Sequence, residues 1–277
     1  MRAVTKIIPG QPMSEGAGVR IARLVGTPAL QTLDPFLMLD HFDSADAADY
    51  LAGFPDHPHR GFETVTYMLE GRMRHADNRG HSGVIETGGV QWMRAGRGIV
   101  HSEMPEQQAG RMRGFQLWVN LPARLKMTEP GYQEFGAERM GLEARDGGVE
   151  LHVIAGSTSR GTAGPVSASH VDARYFDVVL PAGTSFEESI PADHAAMLVV
   201  YEGSLAVAQS ASPVAALAVA VLGDGDRVVA RAPGAPARFL LIAGKPIGEP
   251  IAWGGPFVMN TRAEIMQAYA DYQSGRL

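Results

Sequence analysis

The sequence predicts an all-β chain folded as two antiparallel jelly-roll barrels with a helix at the C-terminus. Three observations predict it. Glycine (33 residues) and proline (18 residues) are scattered between short apolar runs, the pattern of many short strands joined by tight turns. From residue 149 the strand pattern starts again, so the second half reads as a divergent repeat of the first. Helical periodicity is confined to the tail after Thr261. Closed double sheets also hide strand edges, which favours barrels over open sheets.

A chain of 277 residues allows one large domain or two of ordinary size, and a hydrophobic content of 45% supports a sizeable core. The net charge is −6 and no basic stretch is long enough to track phosphates, so direct nucleic-acid binding is disfavoured. Cysteine is absent, which excludes disulfides and thiolate metal sites and leaves nitrogen and oxygen donors for any metal. No signal-like N-terminal segment and no apolar run approaching about 18 residues is seen, so a cytoplasmic location without membrane association is expected.

Taken in order, residues 4–8 and 19–25 are apolar runs that read as a hairpin or as two edge strands. Residues 30–42 are mixed and lead into an acidic loop with Asp43, Asp46 and Asp49. Strands are expected over 64–69, 71–75, 83–87, 90–93, 100–103 and 114–120. His75 and His81 lie beside the turn Asp77-Asn78-Arg79-Gly80 and read as surface residues. Residues 123–148 form the most charged segment and read as a connection lying across the second half. The expected domains are therefore 1–135 and 145–277. In the second, strands are expected over 150–155, 175–180, 196–201, 204–208, 214–222, 227–230 and 239–243. In the tail, Thr261 and Glu264 form a capping box, Ile265, Met266, Tyr269 and Tyr272 share a face, and Gly275 is a stop signal. That stripe needs a sheet surface to bury it.

Two short stretches carry the chemistry. His57-Pro58-His59 and His101-Ser102-Glu103 each place two potential ligands at i and i+2, which point the same way in an extended strand. If the two stretches are neighbours in one sheet, His57, His59, His101 and Glu103 converge as three imidazoles and one carboxylate. Either pair alone is a weak signal, because such pairs also occur on solvated strand faces. In the second half, Tyr201-Glu202-Gly203 overlays Leu69-Glu70-Gly71, which puts Ser189 and Pro191 where His57 and His59 stand. The span from Gly203 to Phe239 is also eight residues shorter than that from Gly71 to Phe115, which held His101 and Glu103. The second barrel is thus expected to be metal-free, with His152, His170 and His194 structural. His41 is expected to be hydrogen-bonded near the site rather than a ligand. Glu63 is open between accepting from a ligand imidazole and being a solvated strand glutamate. Some of Phe54, Phe62, Trp92, Met93 and Trp118 are expected to form an apolar wall at the barrel mouth, though for any single one the core is the better assignment.

The run from His57 to Val65, Gln91-Trp92-Met93, Ala95-Gly96-Arg97-Gly98 and His101-Ser102-Glu103 resemble the pirin family of the cupin superfamily. Asp34-Pro35-Phe36-Leu37-Met38-Leu39-Asp40-His41-Phe42, Lys126-Met127, Pro130-Gly131-Tyr132-Gln133 and Gly255-Pro256-Phe257-Val258-Met259-Asn260-Thr261 are similar to it too. The resemblance implies a bicupin with one metal in its N-terminal barrel. It also implies Fe(II), where the ligands alone suit Fe, Mn, Ni, Cu, Co or Zn. Two functions are implied: a dioxygenase cleaving a flavonol such as quercetin with O2, or a non-catalytic metal-dependent regulatory protein of the transcription-cofactor or redox-sensor type. The enzyme is the preferred reading, with Glu103 as fourth ligand and as the base that takes the flavonol proton. The partners expected are a small aromatic substrate and O2, a regulatory protein in the alternative reading, no nucleic acid and no membrane. The chain is expected to be a monomer.

Overall fold

The computed structural model describes residues 1–167, 170–208, 210 and 212–277. In chain order the strands begin with β1 (Val4–Pro9), β2 (Gln11–Glu15), β3 (Val19–Val25), β4 (Phe36–Ser44), β5 (Phe54–His59) and β6 (Phe62–Glu70). Next come β7 (Met73–Asp77), β8 (Ser82–Ile85), β9 (Val90–Arg94), β10 (Ile99–Pro105), β11 (Met112–Asn120) and β12 (Gly131–Phe135). The second half contains β13 (Gly141–Arg145), β14 (Val149–Ala155), β15 (Arg174–Leu180), β16 (Ser185–Ser189), β17 (Ala195–Glu202) and β18 (Ser204–Val207). It continues with β19 (Val214–Ala215), β20 (Ala218–Leu222), β21 (Arg227–Arg231), β22 (Ala237–Gly244), β23 (Ala252–Gly254), β24 (Phe257–Met259) and the helix α1 (Arg262–Gln273). No helix among the described residues is long and apolar enough to cross a membrane.

The strands form two compact units, each with one seven-stranded and one four-stranded antiparallel sheet. The first barrel has the orders β12-β9-β6-β11-β4-β3-β2 and β5-β10-β7-β8. The second has β1-β20-β17-β22-β15-β14-β13 and β16-β21-β18-β19. Position by position these orders correspond, so the repeat expected from the sequence is present in the fold. One edge differs in origin: β12 follows the first barrel's own strands, while the second barrel takes β1 from the N-terminus, pairing Val4 with Leu222 and Pro9 with Ala218.

The domain boundaries 1–135 and 145–277 are corrected by this pairing. The first barrel is Pro12–Gly26, Phe36–Glu138 and Ile247–Leu277; the second is Met1–Gln11, Thr27–Pro35 and Arg139–Pro246. Each terminal segment is built into the barrel formed mainly by the other half of the chain. The apolar runs at 4–8 and 19–25 are strands, but they do not pair with each other: β1 joins β20 and β3 joins β4. The charged segment 123–148 is more than a connection, since β12 pairs with β9 and β13 with β14. Periodicity identifies a strand but not its partner, and these partners lie far along the chain.

The two interiors are filled differently. In the second barrel Phe176, Phe186, Leu198, Phe239 and Leu241 are fully buried in one apolar core. Phe186 and Ile190 face inward where the repeat predicted lost ligands, and Ser189 is exposed. Large side chains of this kind each contribute roughly 1.5–3 kcal/mol on burial. In the first barrel Val19, Ile21, Phe42, Tyr50, Met68 and Met112 cluster in an apolar group, and the sheet also presents a polar row to the interior.

The tail belongs to the first barrel. Thr261 caps α1 by accepting from the Glu264 amide (3.2 Å), and Glu264 Oε2 accepts from the Thr261 amide (2.7 Å), as the sequence predicted. The buried face differs in part: Ile265 and Ala268 are buried, whereas Met266 is 61% exposed, and Tyr269 and Tyr272 are half-exposed with their rings edge-on to Phe257. The helix packs on the short β23–β24 hairpin, where a Cβ on Gly254 would strike Ile265. Arg60, next to His59, donates from Nη1 to Asp271 Oδ2 on the helix (2.8 Å). Gly61 (φ +89°) turns the chain from β5 to β6 against the Val258 carbonyl, where a Cβ would stand 2.0 Å from that oxygen.

Lys126 fixes this junction. Its buried ammonium donates to the Gly61 carbonyl (2.7 Å), Asn120 Oδ1 (2.6 Å) and the Val258 carbonyl (3.0 Å). Burial lowers its pKa to about 8, against the pull of Glu249 and Glu264. Lys126→Met should take the ammonium donor from the Gly61 and Val258 carbonyls, leave Asn120 Oδ1 with only the Leu121 amide, and destabilise the protein by on the order of 3 kcal/mol. Urea unfolding checks this, and an unchanged midpoint would show that the ammonium does not hold the junction.

Glu63 gives a second test. It is buried, accepts from Trp92 Nε1 (2.9 Å), and burial raises its pKa from 4.5 to about 7 despite Trp92 and Arg94. An acid whose folded pKa exceeds its unfolded pKa favours folding when protonated, so its ionisation lowers stability progressively as pH rises from about 4.5 and fully above about 7. Glu63→Gln keeps an acceptor for Trp92 without the charge. The variant should gain on the parent as pH rises from 5 to 8, by up to about 3 kcal/mol. A difference that stays constant across that range would rule out ionisation of Glu63 as the cause.

Candidate metal centre

β5 is an edge strand of the four-stranded sheet, so Pro58, which lacks an N–H, fits between the two histidines without breaking a ladder on its open side. Its neighbour β10 sets His101 directly across from His57. The ring centroids stand 4.6 Å apart for His57 and His59, 4.4 Å for His57 and His101, and 5.1 Å for His59 and His101. One ligand atom from each of the three lies within 4.8 Å of the other two, and this is the one such group among the described residues.

Nδ1 of His57 donates to the Pro55 carbonyl (2.8 Å) and Nδ1 of His59 to the Pro256 carbonyl (3.4 Å). Each ring thereby keeps Nε2 as its free lone pair. Both ring nitrogens of His101 are buried without a hydrogen-bond partner, an arrangement that costs free energy unless something ligates it. Burial first, and the neighbouring imidazoles second, hold His59 and His101 well below the ordinary histidine pKa. Neutral imidazoles are what metal ligation requires. The three residues therefore fit a divalent transition metal.

The structure brings together three of the four expected ligands. Glu103 is 1% exposed and lines the same cavity, but it is not a member of the tight three-atom cluster. A bulge in β5 shifts its register, so that Glu103 faces Phe54, three residues before His57. Its Oε1 accepts from Thr66 Oγ1 (2.7 Å) and its Oε2 from Gln116 Nε2 (2.8 Å).

Three other sequence expectations need correction. Asp40 and Phe42 line the cavity, so His41 between them faces the opposite side of the sheet, with its ring 4.7 Å from Phe115. Glu63 is neither solvated nor beside a ligand imidazole: the strand through His59 breaks at Gly61, and Glu63 points away from Thr66 toward Trp92. His75 is not a surface residue. It is buried opposite Glu103, with Nε2 2.7 Å from Glu134 Oε2. His81 is exposed beside Asp77, as expected.

His57, His59 and Glu103 line a cavity of about 560 Å³. Of the aromatic candidates, Phe54 and Trp118 line it. Phe62 is buried and stacks against Trp118 (4.2 Å, 29°), Met93 packs with Ala95 and Ile99, and Trp92 faces the other side of the sheet. The tail supplies a wall the sequence reading missed: Trp253, whose ring is 5.9 Å from Trp118 and tilted 20°, with Gly255 and Pro256. The available signal was a tryptophan beside Gly254-Gly255-Pro256 in the short apolar stretch before the helix. Arg23 and Asp40, also missed, form a polar wall. Burial raises the Asp40 pKa to about 6 in spite of Arg23, which leaves it mostly ionised at neutral pH.

Comparison with known proteins agrees with this geometry. The Pirin family matches residues 18–119 and the Pirin C-terminal cupin domain matches residues 175–277. A pirin-like protein of Caulobacter vibrioides is 64% identical over 276 residues, covering 100% of this chain and 99% of its own length. Human pirin is 41% identical over 281 residues, covering 99% of this chain and 93% of its own. A crystal structure of quercetin 2,3-dioxygenase from Acinetobacter baumannii superposes with a TM-score of 0.91 at 34% identity, covering 100% of this chain and 98% of that one. With two matching barrels, three clustered imidazoles in the first of them and relatives of this identity along the whole length, the chain belongs to the pirin family of bicupins.

Proposed function

We propose that the chain is a metal-dependent dioxygenase that cleaves a flavonol such as quercetin with O2. In this reading one divalent metal, Fe(II), is held by His57, His59, His101 and Glu103. The observation that carries it is the meeting of three converging imidazoles with an aromatic-lined cavity: His57 and His59 open onto a cavity large enough for a flat polyphenol, whose wall includes Trp118 and Phe54. The Acinetobacter baumannii protein of the same fold carries this activity in its name.

A bound divalent metal supplies Lewis acidity toward an enolate and one-electron chemistry toward O2. The chain's residues do the rest. The Pro55 and Pro256 carbonyls orient His57 and His59. Trp118 and Trp253 line the cavity and supply an apolar wall against which a flavonol can lie. Glu103 takes the proton of the flavonol hydroxyl, because the imidazoles are committed as neutral donors. Thr66 and Gln116 hold both its oxygens in place for that transfer.

Two measurements test the reading. Purified protein should contain one metal per chain, and a His57→Ala/His101→Ala double variant should contain none; a content near two, or retention in the double variant, overturns the site. After anaerobic iron loading, quercetin should drive O2 uptake, and Glu103→Gln should lower the rate per bound metal by roughly 100- to 10,000-fold. No uptake at full metal content refutes the dioxygenase, and an unchanged rate per metal in the variant refutes the base.

A further inference from the structure

The cavity has a second polar end that the metal chemistry does not use. Arg23 on β3, Asp40 on β4, Gln116 on β11 and Thr66 on β6 are successive cross-strand neighbours in the seven-stranded sheet. Residues directly opposite in antiparallel strands share a face, so the row runs along the inner surface of the barrel. At one end Thr66 and Gln116 hold Glu103. At the other, Arg23 Nε and Nη2 hold the two oxygens of Asp40 (2.8 and 2.7 Å), and Nη2 also reaches Glu15 Oε1 (2.8 Å). The Asp40 side chain is 7% exposed and the Arg23 side chain 14%, so both are fixed by packing as well as by the bidentate pair.

We propose that Asp40, positioned by Arg23, is a specificity-determining residue: it accepts a hydrogen bond from a neutral hydroxyl on a part of the ligand that is not bound at the histidines, and disfavours ligands that are anionic there. The inference rests on the dioxygenase reading of the same cavity. Each Asp40 oxygen already bonded to Arg23 keeps a second lone pair, and the residue stands on the cavity wall. The charge around it gives the direction of selection. Glu15, Asp40, Asp56 and Glu103 line the cavity against one basic residue, Arg23, whose guanidinium is engaged by Asp40 and Glu15. A carboxylate or sulfate brought to this end meets like charge in a poorly solvated site, while a hydroxyl meets a ready acceptor. A site built to bond a hydroxyl also penalises the analogue that lacks it.

The test is a set of dissociation constants on the metal-loaded protein, read from quenching of tryptophan fluorescence. The ligands are 3-hydroxyflavone and its derivatives with one added hydroxyl or one added carboxylate on either outer ring. For the parent protein a hydroxyl derivative should bind about tenfold or more tighter than 3-hydroxyflavone, and the carboxylates most weakly. Asp40→Asn removes the charge and frees Arg23 for an incoming anion, so it should reverse the order of the hydroxyl and carboxylate derivatives. Glu15→Gln, at a more exposed position, leaves the Arg23 and Asp40 pair intact and should improve carboxylate binding by a smaller factor; it serves if the Asp40 variant does not fold. If 3-hydroxyflavone binds and drives O2 uptake but the derivatives bind alike in parent and variants, the specificity role is overturned and the dioxygenase stands. If 3-hydroxyflavone neither binds nor drives uptake, both fall.

Discussion

Three imidazoles whose ligand atoms stand within 4.8 Å of one another repel as cations, so their packing favours the uncharged state at the two that are buried, His59 and His101. Burial and mutual repulsion lower the pKa of both, and the backbone carbonyls of Pro55 and Pro256 turn the rings of His57 and His59 so that their remaining lone pairs converge. The free energy spent on desolvating His101 is not recovered by hydrogen bonds, since neither of its nitrogens has a partner. Much of the first barrel can be understood as support for this arrangement. The edge strand accommodates Pro58, the β5–β10 register faces His101 with His57, and Lys126 and Arg60 secure the loop that follows His59 to the tail.

The two barrels show how one strand order serves opposite ends. In the second, inward positions carry Phe186, Ile190, Leu198 and Phe239, and the interior closes as an ordinary apolar core. In the first, the row of Arg23, Asp40, Gln116 and Thr66 replaces apolar side chains along one level of the sheet, and a cavity remains above it. Every polar group in such a row requires a partner, and the cross-strand neighbours supply one another: Arg23 to Asp40, and Gln116 and Thr66 to Glu103. The polar row is therefore two adjoining hydrogen-bonded groups, one on Asp40 and one on Glu103, rather than a set of separate substitutions into a core.

The C-terminal tail is the least expected part of the site. Its hairpin adds Trp253 and Pro256 to the cavity wall, and its helix is held at Asp271 by Arg60, the residue after His59. A segment more than halfway along the chain from the histidines thus shapes both the cavity wall and the orientation of His59, through one carbonyl and one ion pair.

The sequence by itself determined what depends on local period and composition. Alternation placed His57 with His59 on one face, the glycine-punctuated apolar runs announced strands, the recurrence after residue 149 announced a second barrel, and Thr261 with Glu264 announced the helix start. Tertiary structure decided what depends on partners. A bulge in β5, invisible in the period-two pattern, set Glu103 across from Phe54; the break at Gly61 turned Glu63 toward Trp92; and the approach of β7 to β12 of the other sheet buried His75 against Glu134. It also assigned each terminus to the barrel of the opposite half and placed Arg23 beside Asp40. The physical reason is common to all of these. Side-chain direction along a strand follows from the backbone repeat that the residues themselves carry, whereas register, sheet edge and barrel membership follow from hydrogen bonds to strands distant in sequence, which only the folded chain brings within reach.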